Sequence, residues 1–305
     1  MLSKLRFFES HAGPLIKQLS KSMSPDLALE IMGWDDANVK RVATGTLSAA
    51  FVASRTGESI FLKTHLLPEG GLTLEREATL FNHIYGNKLN VRCFAVRAHI
   101  ASGVNKFNQA GSIWLAMAEL EEAKRQITPC EVIYLIKGLN LSRLSQKLSY
   151  LIDPKDSMHE LLELASQAFE NLVKLKMLNG NSKKIVKNSL QLLSLELKNC
   201  KPILCHGDLS PANIMKWQTD FALVDWEDAF MGVEDYDYLY WLTFFENRKY
   251  YPNQPLQYVS IDIGLARALL VMVVVLKCQL AWRTKDFHKH SLSFDDRISE
   301  VSLLN

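Results

Sequence analysis

The apolar positions of this chain change period along its length. Residues 39–43, 49–54 and 60–64 are short runs rich in Val, Ala, Phe and Ile. They are separated by Thr44-Gly45-Thr46-Leu47-Ser48 and by Thr56-Gly57-Glu58-Ser59. Short apolar runs bounded by turn residues predict three strands, the last two joined as a hairpin. Residues 74–84 then adopt helical spacing, and 114–118 return to a strand-like run followed by polar Glu121, Glu122 and Lys124. Beyond that point the period is helical. Leu161, Leu162, Leu164, Ala165, Ala168, Phe169, Leu172, Val173 and Leu175 recur at three and four residues, which predicts an amphipathic helix. A further helix is predicted over 189–197, a strand at Ile203 and a buried strand over 221–224 that ends at Asp225. Residues 266–276 are dense in Leu, Val and Met, but Arg267 interrupts their start and Lys277 and Gln279 their end. That run is too short for a bilayer and predicts a helix buried in a core. Residues 1–36 read as a helical extension broken at Pro14.

Composition narrows the class. A chain of 305 residues is long enough for two lobes around a large buried core. The 35 basic and 33 acidic residues leave a net charge of +2, so no polyanion-binding surface is implied. No basic run interleaved with aromatics points to nucleic acid. The first residues lack a signal-peptide apolar core. The five cysteines show neither C-x-x-C nor metal spacing, which predicts reduced thiols and a cytoplasmic protein. Neither nucleic-acid nor membrane partners are expected, and nothing in the sequence fixes an oligomeric state.

The chemistry concentrates in Cys205-His206-Gly207-Asp208-Leu209-Ser210-Pro211-Ala212-Asn213, followed by Leu223-Val224-Asp225-Trp226-Glu227. A turn at Ser210-Pro211 lets Asp208 and Asn213 face one space. Asp208 suits a group that accepts or orients a hydroxyl proton. Asn213 and Asp225 offer hard oxygen ligands of the kind Mg²⁺ takes. A metal hydrolase is excluded because no H-E-x-x-H occurs. Protein kinases carry H-R-D-x-x-x-x-N and then D-F-G. His206, Asp208 and Asn213 keep that spacing, with Asp225-Trp226-Glu227 in place of D-F-G. In this form the chain resembles the aminoglycoside phosphotransferase and choline kinase family.

The resemblance implies an α+β protein-kinase-like fold: bilobal, with a small antiparallel-sheet N-lobe over 37–119 and a larger, mainly helical C-lobe over 120–305. Residues 1–36 would precede it as the extension. It implies ATP and Mg²⁺ as cofactors and a small-molecule hydroxyl as acceptor. Lys63 falls in the strand where that fold grips nucleotide phosphates. Arg76-Glu77-Ala78 matches the family's R-E-A, making Glu77 the partner of Lys63, with Glu75 as a rival. Gly45 and Ser48 would lie on the phosphates. Glu119 and Leu120 would hold the adenine, with Met117 behind it or simply in the core. His206 and Asp237 would brace the catalytic loop. Trp226, Glu227, Asp228 and Trp241 combine rings with carboxylates, which suits an ammonium-bearing acceptor; the rings of 238–242 equally fit the packed face of a helix. A protein Ser/Thr kinase is disfavoured because no A-P-E follows Asp225. A non-catalytic nucleotide-binding scaffold is disfavoured because Lys63, Asp208, Asn213 and Asp225 all stand.

Overall fold

The computed structural model describes residues 23–42, 48–66, 70–96, 112–123, 125–153, 155–285 and 292–305. The described chain divides into two compact units. One runs to Glu121 and also takes Asp225–Glu227; the other holds Glu122–Val224 and Asp228–Asn305.

The smaller unit begins with α1 (Asp26–Met32), which stops at Gly33 in the left-handed conformation, φ 68°. Strands β1 (Asn38–Val42), β2 (Ser48–Arg55) and β3 (Glu58–His65) form an antiparallel meander. Helix α2 (Gly70–Tyr85) follows, then β4 (Arg92–Val96) and β5 (Ser112–Ala118). Among the described residues the sheet has five strands in the order β1-β2-β3-β5-β4. Alternation sets its faces: Lys63 lies opposite Ala50 on β2 and Leu115 on β5. Of the expected 1–36 extension, 1–22 lie outside the described residues. The remainder is not an appendage, because Met23, Ala28, Leu29 and Trp34 are buried in one core with Phe51, Leu62 and Trp114. The apolar face of α1 has too little area to bury by itself and finds it against the sheet.

The other unit is mainly helical. After β6 (Glu121–Glu122), which begins in the smaller unit, come α3 (Pro129–Gly138), α4 (Leu141–Leu148), α5 (Met158–Lys174) and α6 (Gly180–Glu196). The start of α3 is written in Thr128-Pro129-Cys130-Glu131, where proline opens the helix and Thr128 and Glu131 cap each other reciprocally. Helix α6 starts nine residues before the predicted 189, at an Asn179 cap whose side chain accepts the Ser182 N–H. Polar residues at 180–184 hid that first turn from an apolar-period reading. Among strands β7 (Ile203–Cys205), β8 (Ile214–Trp217), β9 (Asp220–Leu223) and β10 (Phe230–Gly232), β7 pairs antiparallel with β10 and β8 with β9. Three helices complete the chain: α7 (Tyr236–Leu242), α8 (Ile263–Thr284) and α9 (Phe294–Ser302).

Helix α8 packs against α5, α6 and α9. It runs past the predicted 266–276 at both ends, so that, against the expectation of a run too short for a bilayer, it is long and apolar enough to cross a membrane; yet most of its apolar window is buried inside the protein. A helix that is apolar all round needs such burial on every side, and α8 is the spine of the unit's core. All seven residues of α7 are buried as well.

Candidate active site

The expected site residues fall into two groups, one in each unit. In the smaller unit, Lys63 Nζ donates to Glu77 Oε2 at 3.0 Å and to Asp225, and lies 3.3 Å from Glu227. Lys63 reaches inward from β3, and Glu77 meets it from α2. The opposite carboxylate oxygen of Glu77 accepts the Trp226 N–H at 3.2 Å. Arg76 donates to the Glu227 carbonyl at 2.5 Å. Two consecutive residues of α2 therefore hold the backbone of 225–227. Burial disfavours the Lys63 charge, but Asp225, Glu227 and Glu77 outweigh it and hold the ammonium well above its ordinary pKa. Burial pushes Glu77 up, against the pull of Lys63. The resemblance implied Glu77 as the partner, with Glu75 as a rival, and it is Glu77 that lies beside Lys63.

The carboxylate oxygens of Glu77, Asp225 and Glu227 lie within 4.8 Å of one another. Carboxylate oxygens of this kind suit Mg²⁺, but all three residues also lie on the Lys63 ammonium, which is the cation of this cluster in the structure. The expectation named only Asp225 of these three. Asp225 also sits at φ 68°, a conformation uncommon outside glycine that turns its side chain back from β9. Ser48 is buried at the start of β2, whereas Gly45 lies outside the described residues. Met117 is buried on β5 opposite Phe61. The Ala118 and Glu119 N–H groups donate to the carbonyls of Leu89 and Ser59. An adenine would therefore have to meet other backbone groups of 118–120, such as those of the buried Leu120.

In the larger unit the loop after β7 is fixed at almost every atom. Asp237, on α7, accepts the N–H groups of His206 at 2.8 Å and Gly207 at 3.0 Å. His206 Nε2 contacts the Val224 carbonyl at 2.8 Å while Nδ1 faces the Asp208 N–H at 3.4 Å. The ring thus ties the loop both to the Val224 carbonyl and to the Asp208 backbone. Burial raises the Asp237 pKa, and His206 and the two backbone donors oppose the shift. Gly207 stands at φ +84°, and a Cβ there would lie 2.0 Å from the Asp228 carbonyl oxygen. Only glycine meets both conditions.

Asp208 follows, with its carbonyl accepting from the Asn213 side-chain Nδ2 at 2.8 Å and the Ser210 N–H at 2.7 Å. With Nδ2 so committed, Oδ1 is the side-chain atom of Asn213 that could take a cation, an oxygen of the kind Mg²⁺ accepts. The Val224 N–H donates to the Asn213 carbonyl at 2.9 Å, so β9 and the Asn213 turn are tied together immediately before Asp225. The Asp208 carboxylate accepts a hydrogen bond from the Tyr240 hydroxyl. No signal in the sequence marked Tyr240, one aromatic among several in 236–245.

Trp226 and Trp241 are buried in the core, Asp228 is buried, and Glu227 is engaged with Lys63. Their ring faces are packed against protein, as for Trp241 stacked on Tyr238 and Tyr250. Densely apolar helices bury their rings before they expose them.

The model of a family described as the phosphotransferase enzyme family matches residues 38–249. A search of curated proteins finds no match. Among solved structures, aminoglycoside phosphotransferase APH(4)-Ia aligns with a TM-score of 0.52 at 12% identity, over 92% of this chain and 100% of that one. Spectinomycin phosphotransferase APH(9)-Ia, in complex with ADP and spectinomycin, aligns at 0.52 and 10% identity over 92% and 93%. Choline kinase from Cryptosporidium parvum Iowa II aligns at 0.53 and 13% identity over 94% and 91%. These likenesses carry the fold, the protein-kinase-like α+β architecture the sequence implied. With a family match spanning most of its length, the chain belongs to the phosphotransferase enzyme family, as a kinase whose acceptor is an alcohol group.

Proposed function

We propose that the protein transfers the γ-phosphoryl group of ATP to a hydroxyl of a small molecule carrying amine groups, with Mg²⁺ and in the cytoplasm. The observation that carries the nucleotide half of this reading is the buried Lys63–Glu77 pair at 3.0 Å with Asp225 on the same ammonium. A fixed, desolvated cation of this kind suits the α- and β-phosphates of a nucleotide. Support for the amine comes from hygromycin B, spectinomycin and choline, named for similarly folded proteins, and not from Trp226, Glu227, Asp228 or Trp241. All five cysteines are unpaired, in keeping with a reducing compartment.

In this mechanism Asp208 accepts the proton of the acceptor hydroxyl as its oxygen attacks the γ-phosphorus. The bond between that phosphorus and the β,γ-bridging oxygen breaks, and ADP leaves. Asn213 and Asp225, with Glu227 beside Asp225, would hold Mg²⁺, which supplies charge neutralisation of the phosphates. His206 and Asp237 hold the Asp208 loop and touch neither substrate. Lys63 stays protonated throughout, and Glu77 keeps it in place.

Calorimetry with Mg·ATP, paired with ADP release in the presence of amino alcohols, aminoglycosides and sugars, tests this. Asp225→Ala is expected to lose Mg·ATP binding. Asp208→Asn is expected to bind Mg·ATP normally and to slow transfer by about a hundredfold or more, the range of a lost general base. Unchanged affinity in the first variant removes Asp225 from the metal site. Wild-type transfer in the second removes Asp208 from the reaction.

A further inference from the structure

The Tyr240–Asp208 contact is unexplained by the roles assigned above. It joins a wholly buried helix to the reacting carboxylate. The Tyr240 ring is held from several directions: Tyr236 stacks on it with centroids 6.1 Å apart, Phe244 meets it edge-on at 5.6 Å, and Lys277 Nζ lies 4.0 Å over its face. Lys277 comes from α8, the spine of this unit, so the ring is anchored to the most deeply packed element. A phenol placed this rigidly delivers its O–H to one point.

That point is Asp208 Oδ1. The terminal torsion of an aspartate is broad and has no sharp staggered well of its own. The Asp208 backbone is held by Asn213 and Ser210, and a donor on one oxygen acts on the torsion beyond it, that of the carboxylate. Burial first, and then the Asp208 charge, push the Tyr240 phenol well above its ordinary pKa, so it remains a donor.

We propose that Tyr240 is a positioning residue for phosphoryl transfer: its hydroxyl fixes the rotation of the Asp208 carboxylate, committing Oδ1 and turning Oδ2 to the acceptor hydroxyl. The proposal rests on the reading of Asp208 given under the proposed function. Phosphoryl transfer depends on alignment of the attacking oxygen more than on strong basicity. A hydrogen bond that costs some basicity but fixes direction is therefore favourable. A misaligned carboxylate would still bind substrate and would fail at the transition state.

The test uses Mg·ATP alone, with water as acceptor, and reads phosphate release from the full chain. Tyr240→Phe keeps the ring, its stacking and its contact with Lys277. It is expected to lower kcat about tenfold or more, the worth of a hydrogen bond to a charged group. KM for Mg·ATP and the melting temperature are expected to stay near wild type. Tyr236→Phe removes the neighbouring phenol and is expected to change nothing. In Asp208→Asn, adding Tyr240→Phe is expected to have no further effect on kcat. Wild-type kcat in Tyr240→Phe, beside an impaired Asp208→Asn, overturns this inference alone. Wild-type kcat in Asp208→Asn overturns the reading of Asp208, and this inference with it. A second readout needs no turnover. In urea unfolding, Asp208→Ala, which leaves no acceptor, and Tyr240→Phe are expected to change the unfolding constant non-additively, by tenfold or more. Additive effects would mean the contact is absent and would overturn the proposal.

Discussion

Replacing Gly207 by alanine adds one methyl group at a tightly confined backbone position of the loop after β7. The new Cβ would lie 2.0 Å from the Asp228 carbonyl oxygen, 2.9 Å from its carbon and 3.2 Å from a ring carbon of Phe230. The first two are backbone atoms, so no side-chain rotation relieves them. Either the 228–230 segment retreats by about an ångström or the loop does. Retreat pulls β10 from β7, whose pairing runs from Cys205↔Phe230 to Ile203↔Gly232. Movement of the loop takes the His206 and Gly207 N–H groups from Asp237. In either case about two buried hydrogen bonds weaken, at about 1 kcal/mol or more each. The φ of +84° adds about 1–2 kcal/mol for any residue with a Cβ. The sum is about 3–5 kcal/mol, a large fraction of the stability of an ordinary domain. Urea unfolding read by circular dichroism measures it, with an unchanged m-value as the sign that the unfolded state is unaltered. Gly180→Ala, at the start of α6 with nothing within 4 Å of a new Cβ, is the control and is expected to be neutral or slightly stabilising. A loss below about 1 kcal/mol in Gly207→Ala would refute the reasoning, because neither the conformational nor the steric cost would then be real.

Lys63→Met leaves the buried Glu77, with Asp225 and Glu227 beside it, without their cation, and is expected to cost about 3 kcal/mol. Adding Glu77→Gln is expected to restore part of that in thermal melts; a Lys63→Met protein as stable as wild type would contradict the buried-charge argument. Glu131 is lowered from 4.5 to about 2, chiefly by the Arg125 hydrogen bond and then by the Thr128 N–H. Because the folded value lies below the unfolded one, its contribution is full above about 4.5 and fades as pH falls toward 2. Glu131 is partly exposed, so capping and screening hold the effect to about 1 kcal/mol. Glu131→Gln should remove that acid-limb slope in urea titrations between those pH values, and a slope that persists assigns it to other carboxylates.

Sequence alone carried the parts of this protein that depend on near neighbours. Strand and helix periods over 48–84 follow from which face of each element must leave water, and they survive in β2, β3 and α2, whereas β1 forms as an exposed strand held by its pairing with β2. The spacing from His206 to Asn213 is legible because a single turn brings those residues together, whatever surrounds them. The depth of α8 was legible for the same reason, since an apolar helix has nowhere else to go. Other features depend on residues distant in the chain and were settled only by packing. Glu227 looked like an acceptor ligand, but Arg76 and Lys63, more than a hundred residues earlier, draw it into their cluster. Trp226 and Trp241 carry the composition of an ammonium cage, yet the hydrophobic effect rewards burying those rings wherever the fold has room. Tyr240 reads as one more core aromatic. Only the approach of α7 to the end of β7 makes its hydroxyl a neighbour of Asp208, 32 residues away. Periodicity records which residues leave water, and tertiary packing decides which polar atoms then meet.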